Sequence, residues 1–512
     1  MILHGASHSS HRAPLSGRVR LAGAGLGCLL LACTTANADP VIAERLQAEI
    51  EKLVAEDVAL QGPAANVHYE GTIVVREDPT GGNRYVASVP ALGFSSGDGD
   101  TVRAEPYEIR LEAVDGNLFE ARWAYPSLVH SFSDPDLEPW IETYGVQDNR
   151  AFYDLGQQRF RRYELSWRNF STRTLSGEPV WSVQGGNIVG VGTPTSDSLV
   201  DVSDETSAWG IEFAGLDEEN TLLRIGRFTM ISRLNGLQPD VIGDWQRMLA
   251  DAREAPAALV QHLEQEGDRE VVMYALLGLL LADGVEGGGS SLVIRDLALE
   301  PDEEATLLIN RLSLGLRGGS GEEPGALVID IGIEDASWAG KAIGNLALSA
   351  AFRGVPAEAL VDSLGDHLAD GPGPGADALI GQGLLQRIIA AGAAFELRDL
   401  RLARPGASLA GQGRVRGAAD AALGAVMQAS LSLEGIEALE AEFDGSEDAR
   451  GIFAMLRAFG QPAEGGRLDY VFALDEAGQL TVNQRDLLPI IGLLMQDSSE
   501  PPQGPQRRAA TP

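Results

Sequence analysis

Cysteine is almost missing from this chain: Cys28 and Cys33 are the only two, and both precede residue 39. Whatever follows residue 38 therefore holds no disulfide and no cysteine-bound zinc. Lysine is equally scarce, with Lys52 and Lys341 the whole complement, so arginine carries nearly all of the positive charge. Basic residues are outnumbered, 39 against 74 acidic ones, for a formal net charge of −35. A surface of that sign repels phosphate backbones, which excludes nucleic acid as a partner. Aromatic residues make up only 6% of the chain, which argues against a carbohydrate cleft. Long apolar runs are missing too. The best two, Leu21–Ala32 and Val271–Leu281, fall well short of the roughly 20 residues that a membrane-spanning helix needs.

What is there first is an export signal. Arg12, Arg18 and Arg20 form a basic n-region, Leu21–Ala32 an apolar core, and Ala36-Asn37-Ala38 a small-residue cleavage site. Residues 1–38 read as a signal peptide cut between Ala38 and Asp39. Leu30-Leu31-Ala32-Cys33 competes as a lipobox, which would make Cys33 the lipidated N-terminus of a membrane-anchored lipoprotein. Either route puts the protein in the periplasm or on its bounding membrane. Of the 39 basic residues three lie in the leader, leaving 36 against 74 acidic ones and a mature charge of −38.

The mature chain opens with a helix, because Ile42, Leu46, Ile50 and Leu53 recur at helical spacing. From Val67 the period becomes two, with alternating runs at Val67–Val75, Tyr85–Val89, Tyr107–Ala113, Phe119–Tyr125, Phe160–Trp167 and Leu222–Ser232. Residues 39–235 thus read as an N-terminal helix plus an antiparallel β domain. Helical periodicity returns over residues 239–281, and residues 236–370 read as a helical segment with a β module. The linker Gly371-Pro372-Gly373-Pro374-Gly375 starts residues 371–496, a second and a third helix-plus-β module, and residues 497–512 read as a disordered tail.

An internal repeat ties the modules together. Leu292-Val-Ile-Arg-Asp-Leu-Ala-Leu299 matches Phe395-Glu-Leu-Arg-Asp-Leu-Arg-Leu402. In each the apolar parity shifts at Arg-Asp, which predicts a β-bulge at Arg295-Asp296 and another at Arg398-Asp399. A looser copy pairs the helix Ile452–Phe459 with the strand Leu468–Leu474, the turn Asp475–Gly478 and the strand Leu480–Val482. The fold class is α+β, mainly antiparallel β, in repeated helix-plus-meander modules forming curved sheets.

Leu397–Leu400, Leu409–Arg416, and Gly478–Asn483 before Leu488-Pro489 resemble the C-terminal part of uncharacterised proteobacterial envelope proteins. These form a domain-of-unknown-function family loosely similar to AsmA-like proteins. Val67–Val75 and Tyr85–Pro90 are similar to alphaproteobacterial members. The resemblance implies an envelope location and a hydrophobic groove, and carries over no catalytic residue.

No motif for chemistry rises above the composition. The mature histidines, His68, His130, His262 and His367, are isolated in sequence and read as unrelated surface or structural residues. Gly318-Gly319-Ser320-Gly321-Glu322 lacks the last glycine of a nucleophile elbow and reads as a loop. Gly411-Gln-Gly413-Arg-Val-Arg-Gly417 misses dinucleotide-loop spacing by one residue and reads as a strand whose glycines permit close packing or a bulge. Asp98-Gly-Asp100 and Asp444–Asp448 lack calcium-loop spacing. No catalytic, cofactor-binding or metal-binding residue is assigned. The reading is a non-enzymatic envelope protein that binds a lipid, another hydrophobic ligand or an envelope partner through a β-sheet. Closure of the same apolar faces into an ordinary core stays open. So do a secreted hydrolase with a hidden carboxylate pair and a scaffold anchored through Cys33.

Overall fold

The computed structural model describes residues 40–59, 66–95, 100–133, 138–157, 159–196, 199–214, 221–237, 287–300, 306–319, 326–354, 386–387, 389–442 and 447–487. The expected leader with Cys33, Ala38 and Asp39, residues 239–281 with their expected helix, and the expected disordered tail 497–512 lie outside them. Two compact units emerge, the first comprising Met1–Pro324, Asp330–Ile343 and Leu368–Pro372, the second Gly325–Ile329, Gly344–His367 and Gly373–Pro512.

In the first unit the expected helix α1 spans Pro40–Ala59. Ten strands follow: β1 Asn66–Tyr69, β2 Val74–Glu77, β3 Arg84–Val89, β4 Leu92–Ser95, β5 Thr101–Ala104, β6 Tyr107–Asp115, β7 Leu118–Trp123, β8 Leu128–Ser131, β9 Trp140–Thr143 and β10 Val146–Asp154. They form two antiparallel arms, β1-β4-β5-β8-β9 and β2-β3-β6-β7-β10. Both arms end on the long strand β11, Arg159–Thr174: β9 pairs with its residues 171–174 and β10 with its residues 159–168. The arms enclose one core containing Ile73, Leu92, Ile109, Phe119, Leu128 and Leu165, and Ile42, Leu46 and Ile50 of α1 are buried in the same cluster. The helix is also pinned by a polar bond, in which buried Tyr153 Oη donates to Glu49 Oε1 at 2.9 Å.

From β11 the unit continues as a meander of long strands: β12 Pro179–Pro194, β13 Val200–Phe213, β14 Leu222–Leu237, β15 Gly287–Glu300 and β16 Leu307–Gly319. Beside β16 lies the later part of β17, Ala326–Trp338, joined to it by Arg311–Glu334 at 3.1 Å and Arg317–Asp330 at 2.7 Å. Every pairing among the described strands is antiparallel, as the alternation predicts.

A transverse crease crosses these strands. Asn169, Gly210, Asp296 and Asp335, on the alternate strands β11, β13, β15 and β17, all have positive φ, between 53° and 60°. Glycine, asparagine and aspartate are the residues that tolerate this conformation. Between them, flanking pairs place Gln184 of β12, Gly226 of β14 and Asn310 of β16 on the same line. This corrects the bulge expected at Arg295-Asp296. Ile225↔Leu297 and Arg227↔Arg295 stay in step, as do Arg295↔Arg311 and Leu297↔Ile309, so no residue is inserted. The parity changes because one left-handed residue re-aims the side chains beyond it, in concert across the line. On β11 the core accordingly takes Leu165 and Trp167, then Phe170.

In the second unit residues 345–353 of β18, Lys341–Arg353, pair with β19, Ala394–Arg404. Next come β20 Ala407–Gly417, β21 Ala425–Glu434, helices α2 Ile436–Glu442 and α3 Glu447–Phe459, and β22 Gln461–Pro462. The short strands β23 Leu468–Leu474, β24 Leu480–Val482 and β25 Arg485–Asp486 close the described chain. Here the expected bulge is present: Leu397 and Leu400 of β19 face Gly413 and Gly411, so Arg398 and Asp399 oppose Gln412 alone. Gly413 also permits close packing, since a Cβ there would lie 2.7 Å from Ala429 Cβ. Leu433, Ile436, Phe453, Tyr470 and Val482 form the core between sheet and helices.

Candidate functional site

The crease brings apolar residues of both parities to one face. Four rows cross β14, β15 and β16 as direct ladder partners: Leu223–Leu299–Leu307, Ile225–Leu297–Ile309, Phe228–Ile294–Leu312 and Met230–Leu292–Leu314. Ile225 and Phe228, although of opposite parity, both pack against the core of the first unit, which fixes the shared face. Along the rest of the rows that core runs out. Eleven of the twelve side chains are half-buried, and Leu314 is 44% exposed. The face measures about 23 Å along the strands and about 10 Å across them, from seven residues of rise and two strand spacings. The reverse face is mixed, with Thr229–Val293–Ser313, Arg227–Arg295–Arg311 and Arg224–Ala298–Leu308 on the corresponding rows.

A second concentration of unusual residues is buried in the arms. His130 Nε2 of β8 lies 3.0 Å from Glu142 Oε1 of β9, both side chains nearly inaccessible. The contact is ionic in geometry only, because Nε2 makes no hydrogen bond. Thr172 stands opposite Glu142 on β11, fully buried. Burial, and then the Glu142 charge, push the Tyr144 hydroxyl well above the usual tyrosine range. This His–Glu pair was invisible in the sequence, which offers no local His–Glu spacing; only the β8–β9 ladder joins them. His68 is exposed on β1, whereas His262 and His367 lie outside the described residues.

The remaining candidates are brought to no common site. Asp100 Oδ1 accepts from Ser133 N and Oγ, at 2.8 and 3.1 Å, and so ties a loop. Gly318 and Gly319 end β16, and Ser320 lies outside the described residues. A shallow concavity of about 600 Å³ on the second unit is lined by Glu396, Arg398, Gln412, Arg414, Gln428 and Val471, among others. Its single carboxylate, Glu396, is engaged by Arg353 at 2.8 Å and Arg414 at 3.5 Å. Buried carboxylates elsewhere have separate partners, Glu49 with Tyr153 and Glu142 with His130. Among the described residues no group of three or more histidine, cysteine or acidic side chains is placed to hold a metal ion, and no helix is long and apolar enough to cross a membrane. No family model, curated protein or solved structure matches the chain.

Proposed function

We propose that the protein is an exported, non-enzymatic envelope component that holds a hydrophobic ligand, an acyl chain, along the apolar face of β14–β16. The observation that carries this reading is the set of four in-register apolar rows left half exposed. Covering the exposed half of one such side chain stabilises by about 1 kcal/mol, so twelve offer on the order of 10 kcal/mol before ordering costs. Apolar patches of this continuity mark ligand or partner sites. The length also suits an acyl chain: one leaflet's hydrocarbon is about 15 Å deep, less than the length of the face. The export signal and the AsmA-like resemblance support the compartment and the ligand class.

Mass spectrometry of organic extracts from the purified protein tests this. A co-purifying acyl-bearing molecule is expected, and its yield should collapse in Leu292→Asp and in Leu314→Asp. Extracts empty at every stoichiometry would refute the reading. Anchoring through Cys33 is a separate question. If the protein is a lipoprotein, Cys33→Ala must move it from the membrane to the soluble fraction.

A further inference from the structure

On the reverse face of the same strands, three arginines stand side by side at the crease. Arg227 of β14 is the direct ladder partner of Arg295 on β15, which is the direct partner of Arg311 on β16. Successive side chains alternate between faces, so these residues, neighbours of Phe228, Ile294 and Leu312, point away from the apolar rows. Arg311 is ion-paired to Glu334 at 3.1 Å. Arg227 and Arg295 are exposed and make no ion pair or side-chain hydrogen bond among the described residues. On the flank, Trp209 is the ladder partner of Arg227. Its ring is turned over Gly185 of β12, where a Cβ would lie 2.4 Å from it, which leaves the Arg227 side open.

Like charges placed directly opposite in a ladder destabilise a sheet. The juxtaposition is conspicuous in a chain with 74 carboxylates against 39 basic residues, where a partner could come from almost any neighbour. As direct ladder partners, Arg227 and Arg295 have Cβ atoms about 5 Å apart, a spacing from which two planar guanidiniums can turn N–H donors onto the oxygens of one phosphate group, each in bidentate fashion. The negative charge of the remaining surface disfavours extended polyanions and limits the site to a single small group. We infer that Arg227 and Arg295 form an oxyanion site for a phosphate group, with Arg311 as its outer wall. The phosphate belongs either to a soluble ester or to a lipid headgroup, and the inference does not depend on the hydrophobic-ligand reading.

Calorimetric titration of the full chain with inorganic phosphate, at ionic strength fixed with chloride, tests it. Saturable binding is expected, and Arg227→Gln/Arg295→Gln should lose at least tenfold in affinity. Arg227→Lys should lose part of the affinity, because an ammonium keeps the charge but not the bidentate fork. Without phosphate, the double glutamine variant should melt at or above the wild-type temperature, since like-charge repulsion is relieved. Arginines that merely brace the sheet would give the opposite, a lower melting temperature with phosphate binding unchanged. Vesicles of phosphatidylglycerol and of phosphatidylcholine, run beside glycerol phosphate, separate the sources: capture of vesicles assigns a headgroup, and binding of the soluble ester alone assigns a free phosphate. Absence of saturable phosphate binding in the wild type, or equal binding by the double variant, overturns the proposal.

Discussion

Gly210→Ala tests the crease where it is most constrained. Gly210 has φ +60°, and a Cβ there would lie 2.4 Å from Gln184 Cδ. An L-residue with a β-carbon pays about 1–2 kcal/mol for the left-handed conformation. Gln184 is flexible and can swing aside, at roughly 1 kcal/mol for leaving its preferred rotamer. The substitution should therefore destabilise by about 2–3 kcal/mol, a drop of roughly 1 M in the urea midpoint at a slope near 3 kcal/mol/M. Far-UV circular dichroism would follow unfolding, and hydrogen exchange would show whether protection falls first in β12–β14. Combining Gly210→Ala with Gln184→Ala separates the two contributions: the double variant should recover about 1 kcal/mol, leaving the backbone cost. If Gly210→Ala unfolds within a few tenths of a kcal/mol of the wild type, residue 210 is not left-handed and the account of the parity change is wrong.

Leu46→Ala removes a fully buried side chain of α1 and should cost about 2–5 kcal/mol, read as a lower thermal midpoint; an unchanged midpoint would mean that α1 is not docked. Burial raises Tyr69, Tyr144 and Tyr470, with Glu51 and Glu142 adding to the first two. Because the folded values are raised, their stabilisation is complete below the unfolded value near pH 10 and is lost as pH rises beyond it. Part of the tyrosinate absorbance should then appear only as the β-sheet signal collapses; titration of all nine tyrosines in a still-native protein would contradict this. Asp469 accepts from Ser432 and Arg467, which hold its carboxyl below the usual range. That stabilisation is present above about pH 4 and disappears as pH falls through the lowered folded value. Asp469→Asn should be less stable than wild type at neutral pH, with the two urea midpoints converging on acidification; a constant gap would exclude the carboxylate as the cause.

Several strands were legible where one face is buried and the other wet, although β10, with Asn149, Ala151 and Tyr153 buried in alternation, was not among them. Phe119, Ala121 and Trp123 are buried with Glu120 and Arg122 between them, and the same alternation marks β7 in the sequence. Helix α1 could be read from Ile42, Leu46 and Ile50, all of which reach the core. The paired arms could not be read. Which strand meets which depends on β11 serving β9 at one end and β10 at the other, and no local pattern encodes that division. The same limit hid the His130–Glu142 contact and the Arg227–Arg295–Arg311 row, whose members lie 12 to 84 positions apart in sequence. Neither is a motif; each exists only through register.

The repeated phrase shows why even a correct motif underdetermines its geometry. Ile294-Arg295-Asp296-Leu297 and Leu397-Arg398-Asp399-Leu400 carry nearly the same residues and the same shift in apolar parity. The first achieves it through one left-handed aspartate, the second through an extra residue with no positive φ. The neighbours decide. Opposite Asp296 stands Gly226, and a Cβ at Gly226 would meet Asp296 Cβ at 2.7 Å, so the turned side chain occupies space that only glycine leaves. Residue-for-residue pairing then survives on both sides, and the alternate strands β11, β13 and β17 carry a left-handed residue on the same line. Opposite Arg398-Asp399, one residue of β20, Gln412, lies between Gly411 and Gly413, and β18 passes from Ser349 to Ala350 without a residue to match the extra one. With nothing to pair with, the additional residue bulges. An aspartate at this position thus says that the apolar side must be re-aimed, and the glycines across the ladder say how.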